Sequence, residues 1–197
     1  MRVARSELIL GGQKSGKSRR AERLAQAWLA ERADRRAVLI ATGQAHDEEM
    51  RARIARHQRE RAQRLPRMQT VEEPRDLAGA IARHGEARTL LVVDCLTLWL
   101  THWLMPAGDA MARKYEEKTA LTQDWQAQSA LFLEALKSAP GPIVLVGNEI
   151  GLGVIPLGAE VRAFVDALGV LNQRVAAACE RVTLMVAGLP VVVKGGA

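Results

Sequence analysis

One octapeptide constrains this chain more than any other feature. Gly11-Gly12-Gln13-Lys14-Ser15-Gly16-Lys17-Ser18 has the spacing G-x-x-x-x-G-K-S. It follows the apolar run Glu7–Leu10 and opens an amphipathic stretch, Ser18–Arg32, with Ala21, Leu24, Ala25, Trp28 and Leu29 at helical spacing. Strand, glycine loop and helix in that order wrap backbone N–H groups around an anion. Gly11 and Gly16 tolerate positive φ, and the helix N-terminus adds partial positive charge. In this setting Gly11–Ser18 is expected to bind a triphosphate, with Lys17 on the β- and γ-phosphates and the Ser18 hydroxyl on Mg²⁺. An ordinary glycine-rich turn is the plainer alternative.

The rest of the chain repeats the alternation. Ala37–Thr42, Thr89–Asp94 and Ile143–Val146 read as buried strands. Helices are expected over Asp47–Arg64, with Asp47 as N-cap, and from about Cys95 to Leu104, ended by Pro106. Two more are expected over Met111–Lys137 and about Ala159–Arg181. Val182–Ala187 and Val191–Lys194 read as a terminal hairpin around Gly188-Leu189-Pro190, and Pro66–Pro74 reads as a loop. Strands alternating with helices predict an α/β P-loop fold: a mainly parallel sheet flanked by helices, with a C-terminal antiparallel hairpin. No linker or repeat interrupts the 197 residues, so residues 1–197 are expected to form one nucleotide-binding domain. A P-loop needs an acidic metal ligand at the end of a neighbouring strand, and Asp94 ends Leu90-Leu91-Val92-Val93-Asp94. A helix N-cap is the other role open to it.

Composition narrows the partners. The net charge is +6, but residues 1–75 hold 18 basic and 10 acidic residues, an excess of +8, while the remainder is −2. A local basic excess fits nucleic acid, an anionic surface or a polyphosphate. Trp28 is the sole aromatic residue in the basic part, which disfavours a base-stacking platform for single strands, and no nucleic-acid partner is expected. No apolar run is long enough to cross a membrane, and no signal peptide is expected. Two cysteines, Cys95 and Cys179, make no disulfide framework, so a reducing cytoplasmic setting is expected. A switch-type GTPase is disfavoured, because Asn148-Glu149-Ile150 lacks the Lys and Asp of N-K-x-D.

The segment Asp47–Arg64 reads DEEMRARIARHQRERAQR. Met50, Ile54 and His57 share a helical face, and Arg53, His57 and Arg61 are four apart. Like charges around an imidazole favour its neutral, nucleophilic form, and the arginines suit a polyphosphate. A solvated, salt-bridged helix on which His57 happens to sit is the competing reading. His46 and His84 read as surface residues, and His102 as a helix residue near the Asp94 strand.

The motifs form an ordered set. The glycine loop is followed by Ala41-Thr42-Gly43-Gln44, Asp47-Glu48-Glu49-Met50 and Arg53-Ile54-x-x-His57-x-x-x-Arg61. Then come Asp94-Cys95-Leu96-Thr97-Leu98-Trp99-Leu100, Asn148-Glu149-Ile150-Gly151-x-Gly153-Val154-Ile155-Pro156, Asn172-Gln173 and Gly188-x-Pro190-x-x-x-Lys194. From Glu7 to Lys194 this resembles the bifunctional adenosylcobinamide kinase / adenosylcobinamide-phosphate guanylyltransferase family of cobalamin biosynthesis. The resemblance implies phosphorylation of a corrinoid, adenosylcobinamide, by ATP or GTP. It then implies guanylylation of the resulting phosphate by GTP through a GMP–histidine intermediate, with pyrophosphate released. The matching histidine is His57. The resemblance also implies nucleotide contacts at Thr42, Gly43, Gln44, Gln58, Arg59, Glu60, Arg61 and Glu72, with Asp94 and Ser18 on Mg²⁺, and a homotrimer. Asn148 and Glu149 stand where substrate contact or a turn would both fit. The chain departs from the family at His102, usually Asn, and at Val165 and Val170, usually Arg. The alternatives are a monofunctional P-loop small-molecule kinase and a nucleotide-dependent module acting on nucleic acid.

Overall fold

The computed structural model describes residues 2–45, 47–105 and 115–196. His46, Pro106 and residues 111–114, which figure in the expectations above, lie outside the described residues, as do the side chains of Arg53 and of residues 115–122. The elements run β1 (Ser6–Gly11), α1 (Lys17–Glu31), β2 (Arg36–Ala41), α2 (Glu48–Arg64), β3 (Met68–Glu72), α3 (Leu77–His84) and β4 (Thr89–Asp94). They continue α4 (Leu96–Leu104), α5 (Tyr115–Ser138), β5 (Ile143–Val146), α6 (Ala159–Ala178), β6 (Arg181–Val186) and β7 (Leu189–Lys194).

The strands form one sheet in the order β3-β2-β4-β5-β1-β6-β7, parallel except for the antiparallel β6–β7 pair. This is the α/β architecture the alternation predicts, including the C-terminal hairpin. Successive residues of a strand face opposite sides, so the inner strands feed two cores. Leu8, Leu91, Val93, Ile143 and Leu145 pack with α3 to α6, where Trp99 meets the rings of Trp125 and Phe132 edge-on, each at 5.1 Å. Ile9, Leu90, Val92, Val144 and Val146 pack with Ala21, Leu24, Ala25 and Leu29 of α1.

Four expectations need correction. Pro66–Pro74 contains the edge strand β3, not only a loop. The helix expected to reach Arg181 stops at Ala178, because Arg181 already belongs to β6. Lys194 Nζ donates to the carbonyls of Ala176, Ala177 and Cys179 and closes that helix end. The hairpin turns one residue earlier than expected, at Ala187-Gly188, both with positive φ, as a two-residue turn between twisted strands needs. Finally, β4 is not next to β1: β5 lies between them, so Asp94 ends a strand one place removed from the glycine loop.

Because β1 to β5 run parallel, their C-terminal ends share one edge. Gly11, Ala41, Glu72, Asp94 and Val146 therefore lie along the rim where open α/β sheets bind ligands.

Candidate active site

The glycine loop is shaped by two residues without side chains. Gly16 sits at φ 97 as the N-cap of α1, a left-handed conformation that glycine adopts freely. A Cβ on Gly11 would come within 2.7 Å of the Met185 carbonyl, so β1 approaches β6 here as only glycine allows. The hairpin braces the loop directly: Gly188 N–H donates to the Ser15 carbonyl at 3.1 Å. Lys17 is buried, and its Nζ donates to the carbonyls of Gly11 at 3.0 Å and Gly12 at 2.7 Å, which places the ammonium across the mouth of the loop. Ser15 Oγ is buried with no hydrogen-bond partner among the described residues. Gly12, Gln13 and Lys14 form the exposed lip, and Ser18 is half-buried in the first turn of α1.

Thr42 ties the ends of β2 and β4 together. Its hydroxyl donates to the Cys95 carbonyl at 2.7 Å and accepts from Cys95 N–H at 2.8 Å. Its carbonyl accepts from His102 Nε2–H at 2.8 Å. The side chain is fully buried and turned to the protein, so Thr42 aims Gly43 and Gln44 rather than presenting a group of its own. His102 is a buried donor in α4. Burial, with Asp94 beside it, pushes the Cys95 thiol up to about 11, so it is no nucleophile at neutral pH.

Helix α2 begins as expected, with Asp47 Oδ1 accepting from Met50 N–H at 2.7 Å and Glu48 and Glu49 in the first turn. Its attachment lies at the other end. Glu22 of α1 is buried and accepts from Arg64 through both carboxylate oxygens, at 3.0 and 3.1 Å, with Arg61 Nε at 3.8 Å. Burial lowers the Arg61 guanidinium below its ordinary value, and the carboxylates of Asp94 and Glu22 oppose that shift. It stays charged. Arg61 thus faces the α1 and β4 side of the rim and also donates to Thr70 Oγ1 at 3.5 Å.

Between the first half of α2 and the rim lies an open cleft of about 480 Å³. Gly43, Gln44 and Ala45 form one wall, Arg51, Ile54, Ala55 and Gln58 another, and Glu72 and Pro74 close it. Gln58 Nε2 donates to Glu72 Oε1 at 3.3 Å across its end. Gly43, Gln44, Gln58 and Glu72, all expected at the nucleotide, therefore share one cavity. The cleft is lined from α2 by positions 51, 54, 55 and 58, so His57, one turn from Ile54 on the same continuous helix, is not among the lining residues. It is exposed beside the cleft, as are Arg59 and, in part, Glu60, which accepts from Arg64. His84 is half-buried rather than a surface residue.

Between the glycine loop and Asp94, β5 delivers Asn148 and Glu149. Asn148 N–H donates to Thr97 Oγ1 at 2.9 Å, and Asn172 Nδ2 of α6 donates to the Asn148 carbonyl at 3.1 Å. Val165 and Val170 lie on α6 and line none of these features, with Val170 exposed. The brace from Gly188 had no signal in the sequence beyond the glycine itself.

Residues 7–193 match the family described as "Cobinamide kinase / cobinamide phosphate guanyltransferase". The chain is 48% identical over 190 residues to the "Bifunctional adenosylcobalamin biosynthesis protein CobP" of Pseudomonas aeruginosa, covering 96% of this chain and 97% of that protein. It is 34% identical over 188 residues to the "Bifunctional adenosylcobalamin biosynthesis protein CobU" of Escherichia coli, covering 95% and 98%. Among solved structures it is similar to the flagellar accessory protein FlaH of Methanocaldococcus jannaschii, with a TM-score of 0.48 and 13% identity, covering 99% of this chain and 82% of that one.

Proposed function

Because the chain belongs to the cobinamide kinase / cobinamide phosphate guanyltransferase family, we propose that it carries out both reactions on one sheet edge, within a single domain spanning residues 1–197. It phosphorylates the hydroxyl of adenosylcobinamide with ATP or GTP. It then transfers GMP from GTP to the resulting phosphate through His57, giving adenosylcobinamide-GDP and pyrophosphate. The observation that carries this reading is the junction of α1 and α2. Glu22, on the helix that springs from the glycine loop, holds Arg61 and Arg64, on the helix that bears His57.

In this reading Gly11–Ser18 cradles the phosphates, and Ser15 Oγ, a buried hydroxyl without a partner among the described residues, donates to them. Lys17 meets the β- and γ-phosphates. Ser18 and Asp94 are hard oxygen donors of the kind that hold Mg²⁺ together with phosphate oxygens and water. When bound, that ion neutralises phosphate charge. The cleft takes the nucleotide beside Gly43, Gln44, Gln58 and Glu72. Glu72 offers a carboxylate to the N–H groups of guanine, and the buried hydroxyl of Thr42 keeps the wall in place. Arg59 and Glu60 flank the acceptor on the exposed side of α2.

The covalent half begins when an imidazole nitrogen of His57 bonds the α-phosphorus of GTP and the bond to the pyrophosphate oxygen breaks. A phosphate oxygen of the corrinoid substrate then bonds that phosphorus, and the P–N bond breaks. Splitting one transfer into two lowers each barrier. Arg61, already turned toward Asp94, stabilises the charge that develops.

The reading extends to a homotrimer working in the cytoplasm. Exposed apolar side chains at Leu152, Val154, Ile155 and Leu157, and along β7, support contact between subunits. Incubation with adenosylcobinamide, GTP and Mg²⁺, followed by mass analysis, tests the function. Two products are expected in order, the phosphate and then the GDP derivative. The phosphate alone would leave a monofunctional kinase.

A further inference from the structure

Glu149 has no part in the scheme above, yet its backbone is tied directly to the glycine loop. It follows β5, the strand between β1 and β4, and so emerges between the glycine loop and Asp94. Its N–H donates to the Gly11 carbonyl at 3.1 Å, and the same carbonyl accepts from Lys17 Nζ at 3.0 Å. One oxygen thus joins Glu149 to the lysine that meets the transferred phosphate. The carboxylate is oriented from both sides: Oε1 accepts from Gly151 N–H at 3.1 Å, and Oε2 lies 3.5 Å from Asn172 Nδ2.

Asn172 itself is 4% exposed, with its Oδ1 lacking a hydrogen-bond partner among the described residues. A half-satisfied buried amide is costly. Here it fixes the backbone of Asn148 and the carboxylate of Glu149 at once. Among the described residues no salt bridge neutralises Glu149, in contrast to Glu7 and Glu22, the buried carboxylates of the same region. A half-exposed, oriented carboxylate with no salt bridge among the described residues, carried on a backbone that bonds the same carbonyl as the phosphate lysine, is equipped to accept a proton.

We propose that Glu149 is the general base of the phosphoryl-transfer half, an inference that rests on the kinase reading above. As the substrate hydroxyl oxygen bonds the γ-phosphorus, the bond from that phosphorus to the β,γ-bridging oxygen breaks. Its electron pair leaves with the nucleoside diphosphate, and the hydroxyl proton passes to a Glu149 carboxylate oxygen and then to water. The guanylyl half has no such need, because its acceptor is a phosphate already ionised at neutral pH. The two halves therefore make different demands on the rim: the hydroxyl acceptor needs the Glu149 carboxylate, and the phosphate acceptor needs His57 but no base.

Glu149→Gln, made in the full chain, separates the halves. Its kcat for phosphorylating adenosylcobinamide is expected to fall on the order of 10²-fold or more, with KM for nucleotide and for corrinoid within roughly threefold of the parent. GMP labelling of His57 and guanylylation of ready-made adenosylcobinamide phosphate are expected to persist. A kinase kcat within roughly threefold of the parent would overturn the proposal, since a general base contributes far more. Equal loss of phosphorylation and GMP labelling would overturn it too, by assigning Glu149 to the turn. If the parent protein transfers no γ-phosphate to adenosylcobinamide, the kinase reading fails and the base falls with it. That outcome is distinct from an active parent with an unaffected variant.

Discussion

The glycine loop and the helix that carries His57 stand on the same rim and are held in opposite ways. The loop is fastened by backbone: Gly188 N–H on Ser15, Glu149 N–H on Gly11, and Lys17 folded across its own carbonyls. Its helix, α1, buries Ala21, Leu24, Ala25 and Leu29 in one core. Helix α2 contributes no fully buried side chain among the described residues and is attached near its end by Arg61, Arg64 and the following Leu65. Backbone bonds beside a packed core hold an anion site in place, whereas an exposed helix hung on ion pairs leaves its histidine accessible to two successive partners. The division matches the chemistry. Phosphate binding gains from a rigid cradle, and a covalent carrier must first take a group and then present it.

Substitutions test that contrast at three levels. Lys17→Ala strikes the cradle both reactions share, so the initial rates of phosphorylation and of GMP labelling are each expected to drop about 10²–10³-fold. Loss of one with the other intact would separate the two nucleotide sites. Glu22→Ala strikes the attachment of α2. Two arginines lose a buried carboxylate, and urea unfolding is expected to show a loss of about 1–3 kcal/mol, with labelling of His57 slowed more than phosphorylation. An equal effect on both rates would mean that α2 serves the cradle as much as the histidine.

Asp76, on the opposite face of the sheet, supplies the smallest effect. Its carboxylate caps α3 and accepts from Gly79 N–H and Arg83, and the Arg83 hydrogen bond, with the Gly79 N–H next, holds its pKa below the usual 3.8. A depressed native value means that the stabilisation is complete above pH 3.8 and disappears as the pH falls through the native value. Asp76→Ala is expected to cost about 0.5 kcal/mol at pH 7, as an exposed cap does, and less as acid removes the charge. Both activities should stay at the parent level. A change in either would tie α3 to the rim.

The same contrast explains what was legible in the sequence. The glycine loop, α1 and the buried strands β4 and β5 carry their patterns in consecutive residues, and Asp47 announces the start of α2 through its side chain. β3 escaped because Met68-Gln69-Thr70-Val71-Glu72 is an edge strand with only Met68 buried, bracketed by Pro66 and Pro74. α3 escaped because it is eight residues long and contains Gly79. Strand order is set by how crossovers pack, so nothing local marks β5 as the strand between Gly11 and Asp94. The rotation of α2 is likewise tertiary. Its repeating arginines allow several faces, and Glu22, far away in sequence, selects the one that turns Arg61 inward and leaves His57 exposed. Lys194 fits a family pattern for a reason remote from the site: it closes the end of α6.

The most direct measurement is covalent labelling with α-³²P-GTP and Mg²⁺, followed by denaturation. Stoichiometric label that is lost in acid, survives alkali and is absent from His57→Ala is the expected result. The same His57→Ala protein should still transfer γ-phosphate to adenosylcobinamide at close to the parent rate. Undiminished label on His57→Ala, or an unlabelled parent protein, would contradict guanylyl transfer through this histidine.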